Sequence, residues 1–255
     1  MAREILQTRV DAGIFEIRLN HENPKNPFSR EMTQKLISLA PEINANTTVR
    51  SVVLWGGDDR SFSVGGDFHD ISALKTPPAM RAYLLEIIDL YNALLRIEKP
   101  LVVAIDHHAI GQGLQVALCS DWRVATERSF VSMPELENGV ACPLGSLMLE
   151  LLLGRAKMMH AVVGCERFDA AGALAFGLVD ELCKPESLYE RALARATKLA
   201  GFHSTPFGLT KRIHNGRFIA ALDGIREPAA DAHVASFVAR ANAAHFEKII
   251  GPVDG

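Results

Sequence analysis

The chain has 255 residues, 48% of them hydrophobic and 22% charged, which is enough apolar side chain to bury a full core and argues against disorder. Its 30 acidic and 27 basic residues leave a net charge of −3, which argues against a nucleic-acid-binding protein because such proteins carry a basic surplus. The four cysteines, at positions 119, 142, 165 and 183, form no CxxC pair, which argues against a zinc ribbon or a thioredoxin-like motif.

The first ten residues, MAREILQTRV, contain no apolar region of the kind found in signal peptides. No later segment reaches the length of a membrane span. We therefore expect a soluble, cytoplasmic protein, in which the cysteines stay reduced.

Strand-like and helical segments alternate through the first two thirds of the chain. Residues 13–20 have a strand-like pattern, and the apolar runs at 51–55 and 101–105 are typical of buried strands. A helix is predicted after Ser29, a suitable N-cap, and another over Met80–Ile97, where apolar residues recur at helical spacing. This alternation predicts an α/β layered fold.

The pattern changes after about residue 185, where no further strand is indicated. Residues 186–202, 206–222 and 226–249 predict three helices, which we expect to pack on the core or on another subunit. We accordingly divide the chain into a core at 1–185 and a helical region at 186–255.

Two glycine-rich turns follow the strands at 51–55 and 101–105 and lead toward helices. They read RSFSVGGDFHD (60–70) and HAIGQGLQVALCSD (108–121). A turn before a helix exposes main-chain N–H groups that suit a phosphate or a developing oxyanion. Each turn alone is also compatible with a purely structural role. The second turn lacks the third glycine of a dinucleotide fingerprint, since Val116 stands there, and the chain has no P-loop motif.

The two turns, followed by FVSMPELENGV (130–140), resemble the crotonase (enoyl-CoA hydratase/isomerase) superfamily. The resemblance extends through residues 154–182 and covers most of the chain in the right order. It implies a spiral of ββα units with a C-terminal helical trimerisation region, assembled as a homotrimer or a dimer of trimers. The implied substrate is an acyl-coenzyme A thioester, with no tightly bound cofactor and no metal.

The resemblance also implies roles for four residues. The thioester oxygen is held by the main-chain N–H groups of Gly66 and Gln112, and the two glutamates of family hydratases map onto Gln115 and Glu135. Because an amide is not titratable, only Glu135 can act as a general base, and ordinary enoyl-CoA hydration is disfavoured. We expect Gln115 to accommodate a substrate that carries its own carboxylate, such as a malonyl thioester.

A narrower resemblance points to a branch of the family that serves carbapenem antibiotic biosynthesis. It is carried by residues 23–32, 60–68, 110–115, 130–146, 209–215 and 229–246. Enzymes of this branch decarboxylate malonyl-CoA, add the enolate to pyrroline-5-carboxylate and hydrolyse the thioester to (2S,5S)-carboxymethylproline. The resemblance assigns the water-directing role to Glu135 and the acceptor carboxylate to His233, although a packed or surface histidine is an equal alternative. Tyr83 stands where a related enzyme has tryptophan, so an aromatic wall is expected there.

The same resemblance places the coenzyme A moiety. The loop that lies along its pantetheine and adenine consists of Val64, Gly65, Gly66, Asp67 and Phe68. Two lysines are candidates for phosphate contacts, Lys25 and Lys248, and both are equally compatible with ordinary surface charges.

Two further interpretations remain open at this point. One is another single-glutamate crotonase, such as an enoyl-CoA isomerase or an acyl-thioester decarboxylase. The other is a noncatalytic acyl-CoA-binding subunit, against which the retention of both turns and Glu135 argues. The sequence leaves open the choice between trimer and hexamer, the tolerance for methylmalonyl-CoA or larger imines, and the pathway that takes the product.

Overall fold

The fold is taken from a computed structural model, which describes residues 6–239. Its nine strands are β1 (Leu6–Asp11), β2 (Ile14–Leu19), β3 (Ser51–Trp55), β4 (Leu101–Ile105), β5 (His108–Ile110), β6 (Trp122–Thr126), β7 (Phe130–Ser132), β8 (Arg167–Asp169) and β9 (Glu181–Cys183) within that range. The α-helices of the same range are α1 (Arg30–Ala45), α2 (Phe68–Ser72), α3 (Pro77–Leu95), α4 (Gln112–Leu118), α5 (Pro143–Leu153), α6 (Arg155–Met158), α7 (Ala170–Phe176), α8 (Leu188–Ala200), α9 (Ser204–Gly224) and α10 (Arg226–Val238).

The strands form two sheets, which confirms the α/β class. The larger sheet has the order β1-β2-β3-β4-β6-β9, and its strands run parallel except for the antiparallel pair β1–β2. The smaller sheet has the order β5-β7-β8. Strands β3 and β4 occupy the positions predicted for them and are buried along their whole length, as apolar, β-branched runs in a parallel sheet should be.

Strand β1 was not predicted, because four of its six residues are polar and the stretch from Thr8 to Asp11 is exposed. It pairs with β2 across a tight turn in which Ala12 and Gly13 have φ values of +47° and +79°. Two positive φ values in succession are typical of the turns that fit the twist of a hairpin.

The predicted helix after Ser29 is confirmed, since the Ser29 Oγ accepts a hydrogen bond from the Met32 N–H at 3.2 Å. Helix α3 begins three residues before the predicted start, because Thr76 caps it and proline occupies its first positions. After β9 the described part contains only helices, α8 to α10, which confirms the predicted helical C-terminal region as far as residue 239. The rest of the third predicted helix, 240–249, lies outside the described residues. Its division from the core as a separate domain stays a prediction.

The cysteines and the lengths of the helices bear on two expectations about the chain as a whole. All four cysteines are free and buried, as expected for reduced thiols. Among residues 6–239, no helix combines the length and the apolar character that crossing a bilayer requires.

Candidate active site

The two glycine turns lie side by side because the main chain at Ser63 pairs with strand β5. The Ser63 N–H donates to the His108 carbonyl at 2.9 Å, and the Ser63 carbonyl accepts from the Ile110 N–H at 3.0 Å. On the other side, the Gly65 carbonyl accepts from the Phe28 N–H at 2.7 Å. Main-chain hydrogen bonds on both sides therefore fix the first turn against the start of α4.

Close packing explains the glycines at these turns. A Cβ at Gly113 would lie 2.6 Å from the Ser63 carbonyl oxygen, and a Cβ at Gly66 would lie 2.8 Å from the Tyr83 hydroxyl. Gly65 and Gly111 have φ values of +100° and +55°, a region that residues with a Cβ rarely adopt. Any side chain at Gly113 would push the turns apart.

Two main-chain donors are left free where the turns meet. The N–H groups of Gly66 and Gln112 donate to no other group within residues 6–239, and Gln112 is the first residue of α4. The Gln112 nitrogen lies 3.6 Å from the point that a Cβ of Gly65 would occupy. Both residues line one cavity of about 130 Å³, so the structure places the two predicted oxyanion donors at the same site.

A buried chain of hydrogen bonds ends at the predicted base. The Tyr91 hydroxyl donates to Gln115 Oε1 at 2.8 Å, and Gln115 Nε2 donates to Glu135 Oε1, also at 2.8 Å. Glu135 Oε2 is buried and has no hydrogen-bond partner in the described part of the chain. The chain of contacts holds Oε1 in place and leaves Oε2 available, and Glu135 is one of the residues that line the cavity.

Burial dominates the titration of this carboxyl. It raises the pKa of Glu135 from 4.5 to about 7, although the Glu135 main chain, Cys142 and Gln115 act in the opposite direction. At neutral pH the group is therefore divided between its acid and its base forms. A pKa close to the working pH is the condition under which a carboxyl serves best as a general base.

The hydrogen bonds of Gln115 differ from those expected of a residue that binds the substrate carboxylate. Both ends of its amide are already engaged, with Tyr91 on Oε1 and Glu135 on Nε2. The remaining N–H of Nε2 faces the Met133 sulfur at 3.7 Å. This geometry makes Gln115 a positioning residue for Glu135 and leaves it little capacity to bind a substrate carboxylate directly.

His233 and Tyr83 line the same cavity as the predicted donors and base. Burial lowers the pKa of His233 to about 4, so its ring is neutral at pH 7, and its Nδ1 is buried without a hydrogen-bond partner among residues 6–239. Burial also raises the pKa of Tyr83, which keeps its hydroxyl protonated. Both side chains are therefore neutral polar groups at the wall of a cavity that is lined mostly by apolar residues.

A wider groove of about 580 Å³ opens beside the inner cavity. The two share Val64, Gly66 and Phe68, and the groove is also lined by Lys25 and by Arg167, which pairs with Glu137 at 3.0 Å. The structure thus places the predicted loop and Lys25 along one channel.

Asp67 and Lys248 differ from the other residues that were predicted to contact coenzyme A. The Asp67 carboxylate accepts from the His69 N–H at the start of α2 and lies 3.2 Å from the His21 ring, so its oxygens are used within the protein. Lys248 lies outside the described residues.

Three residues of the site were not predicted from the sequence. Tyr91 fits the apolar stripe of α3, and nothing in that spacing indicates that its hydroxyl supports Gln115. Cys142 lies beside Glu135 in the cavity wall, and no local sequence pattern indicates that the two side chains are neighbours. Arg167 belongs to β8, a three-residue strand whose polar sequence carries no signal for a ligand groove.

Comparison with known proteins identifies relatives of the whole chain. A sequence model described as Enoyl-CoA hydratase/isomerase matches residues 9–237. A protein named carboxymethylproline synthase, from Pectobacterium carotovorum subsp. carotovorum, is 34% identical over 235 residues, which are 92% of this chain and 94% of that one.

A second sequence relative and a solved structure are also similar to this chain. A protein named "Probable enoyl-CoA hydratase", from Mycobacterium avium, is 33% identical over 74% of this chain and 72% of its own. The solved structure titled "ThnE from S. clavuligerus" is 34% identical, covers 89% of this chain and 100% of its own, and superposes with a TM-score of 0.78.

Proposed function

Because the chain belongs to the enoyl-CoA hydratase/isomerase (crotonase) family, we propose that it acts as a carboxymethylproline synthase. It takes malonyl-CoA, pyrroline-5-carboxylate and water and releases carbon dioxide, coenzyme A and (2S,5S)-carboxymethylproline. The observation that carries the proposal is that an amide, Gln115, hydrogen-bonds to Glu135 at 2.8 Å, so Glu135 is the single carboxyl among the described residues that line the inner cavity.

A site with one carboxyl suits this reaction better than hydration of a double bond. Hydration in this family uses two glutamates, and here the first of those positions holds Gln115, whose amide neither takes up nor releases a proton. Decarboxylation of a malonyl thioester requires no base. Glu135 is therefore free for the last step, in which a base is needed.

The charge distribution of the inner cavity favours loss of carbon dioxide. No lysine or arginine is found among the described residues that line it. A malonyl carboxylate enters this apolar space without a counter-ion, which destabilises its charge. Cleavage of its C–C bond moves the electron pair into the thioester enolate, whose oxygen is held by the N–H groups of Gly66 and Gln112.

The enolate carbon then attacks C5 of the protonated cyclic imine, and the imine nitrogen takes the displaced electron pair to become an amine. The neutral ring of His233 offers a hydrogen bond to the carboxylate of this acceptor. The new carbon–carbon bond leaves the product attached to coenzyme A as a thioester.

Glu135 completes the reaction by hydrolysis. Its free Oε2 accepts a proton from a water, whose oxygen attacks the thioester carbonyl, and coenzyme A leaves as the thiol. The same two N–H groups hold the oxyanion of the tetrahedral intermediate, and removal of one such donor costs about 3–4 kcal/mol in comparable enzymes. The same two donors thus act twice in one turnover, first on the enolate and then on the tetrahedral intermediate.

The test is mass spectrometry of malonyl-CoA incubated with the protein, with and without pyrroline-5-carboxylate. We expect free carboxymethylproline only when the imine is present. With Glu135→Gln, we expect the coenzyme A thioester of the product to accumulate and its hydrolysis to slow by roughly 10²–10⁴-fold. Glu31→Gln, on the exposed face of α1, is the matched control and should behave as the wild type.

Each other result selects an alternative. Acetyl-CoA without an adduct would indicate an acyl-thioester decarboxylase and contradict the proposed acceptor. Untouched malonyl-CoA would leave an enoyl-CoA isomerase, for which a single carboxyl with a pKa of about 7 is also suitable, or a noncatalytic acyl-CoA-binding subunit. Turnover of 3-enoyl-CoA separates those two.

A further inference from the structure

The side chain of Gln112 has no part in the steps described above, which use only its main-chain N–H. It is 8% exposed, and its Nε2 is buried without a hydrogen-bond partner among residues 6–239. Native proteins rarely leave a buried donor unpaired, because the lost hydration is then not replaced. A buried amide at the wall of the inner cavity therefore indicates a ligand that supplies the acceptor.

The surroundings of this amide define where the acceptor lies. The point that a Cβ of Gly66 would occupy is 3.3 Å from Gln112 Oε1 and 2.8 Å from the Tyr83 hydroxyl. The corresponding point at Gly111 is instead 3.2 Å from Glu135 Oε1. The amide and the hydroxyl thus border the oxyanion donors on the Gly66 side, while the carboxyl borders them on the Gly111 side.

We infer that Gln112 Nε2 and the Tyr83 hydroxyl bind the free carboxylate of a carboxylated acyl thioester and select it over a neutral acyl group. The inference deepens the proposed function and rests on it for the choice of a malonyl group. A carboxylate only accepts hydrogen bonds, and these two groups supply neutral donors. Repulsion by Glu135 disfavours the opposite side of the cavity whenever that group is charged.

Selection by neutral donors also fits the chemistry of the first step. A lysine or arginine in this place would bind the carboxylate more strongly and would have to be separated from it as carbon dioxide leaves. An amide and a hydroxyl recognise the shape and the acceptor atoms of the carboxylate without adding a counter-charge. Specificity is thereby obtained with less stabilisation of the departing carboxylate than a counter-charge would give.

The experiment compares malonyl-CoA with isovaleryl-CoA, in which two methyl groups replace the carboxylate oxygens. The Michaelis constant for malonyl-CoA and the inhibition constant of isovaleryl-CoA are measured for the wild type, Gln112→Met and Tyr83→Phe. We expect each variant to weaken malonyl-CoA by about tenfold relative to isovaleryl-CoA, since one hydrogen bond to a charged group is lost. Gln112→Glu should reverse the preference altogether.

Gln34→Met, on the exposed face of α1, removes an amide far from the cavity and should leave the ratio of the two constants unchanged. A parallel change in both ligands for Gln112→Met and Tyr83→Phe would overturn the inference, because the side chains would then serve packing alone. Binding of isovaleryl-CoA also reports whether each variant keeps an intact site. If the wild type binds malonyl-CoA without consuming it, the same comparison is made with dissociation constants, and only the proposed function falls.

Discussion

Tyr91 determines which end of the Gln115 amide faces Glu135. Its hydroxyl is buried and burial raises its pKa, so it keeps the proton that it donates to Gln115 Oε1 at 2.8 Å. With the amide oxygen taken by Tyr91, the Nε2 end must point to the carboxyl. Tyr91, through its hydrogen bond to Gln115, thus sets the orientation of the amide that faces Glu135.

We predict that Tyr91→Phe shifts the pH dependence of thioester hydrolysis. In the wild type the rate should rise with pH and reach half its maximum near the Glu135 pKa of about 7, because the carboxylate is the active form. Without the hydroxyl, the amide is free to turn its oxygen toward Glu135, which disfavours the carboxylate and raises its pKa. We expect the midpoint to move to higher pH by about one unit, which corresponds to the loss of one hydrogen bond.

Tyr189→Phe is the control for this change. It also removes a hydrogen-bonded hydroxyl, which lies 2.9 Å from Glu16 and outside the cavity. A midpoint that stays in place in Tyr91→Phe, as it should in Tyr189→Phe, would remove Tyr91 from the positioning role.

At the scale of elements, the approach of the first turn to α4 leads to a second prediction. A Cβ at Gly113 would lie 2.6 Å from a main-chain oxygen, so Gly113→Ala must displace one turn from the other. We expect the free energy of unfolding to fall by about 1–3 kcal/mol and decarboxylation to be lost, measured by thermal melting and release of carbon dioxide.

Gly216→Ala provides the comparison, since no atom lies within 4 Å of its would-be Cβ in the exposed part of α9. Alanine favours helix over glycine by up to about 1 kcal/mol, so this variant should be slightly more stable and equally active. Equal behaviour of the two alanine variants would mean that the turns do not depend on their close packing.

The elements differ in how far the sequence predicts them. Strands β3 and β4 can be predicted because every residue in them is buried and all except Ser51 are apolar. Strands β5 and β7 have three residues each, too few for any periodicity, and their pairing depends on residues distant in sequence. The meeting of the two turns was accessible only through the family resemblance, and the engagement of Gln115 by Tyr91 was not accessible at all.

The whole molecule presents apolar side chains that the described chain does not cover. On α9, Leu209 and Ile213 are one helical turn apart and are 48% and 69% exposed. Such a surface favours self-association, in line with the trimer or hexamer expected from the family. Light scattering should therefore give a mass that is a multiple of the chain mass.

We predict that Ile213→Glu shifts this assembly toward the monomer, because a charge would be buried in the contact. Lys198→Glu, an exposed charge change on α8, should leave the mass unaltered. A wild-type protein that is monomeric at micromolar concentration would contradict the expectation from these exposed side chains.

The hydrogen bonds from Tyr91 through Gln115 to Glu135 also act as an insulator. Each donor in the series points toward the carboxyl, and an amide N–H does not give up its proton at neutral pH. Glu135 therefore exchanges protons through Oε2, the oxygen that has no hydrogen-bond partner among residues 6–239. A substrate that fills the cavity blocks exchange with solvent, so the proton that the carboxylate gains during a turnover comes from the water that attacks the thioester.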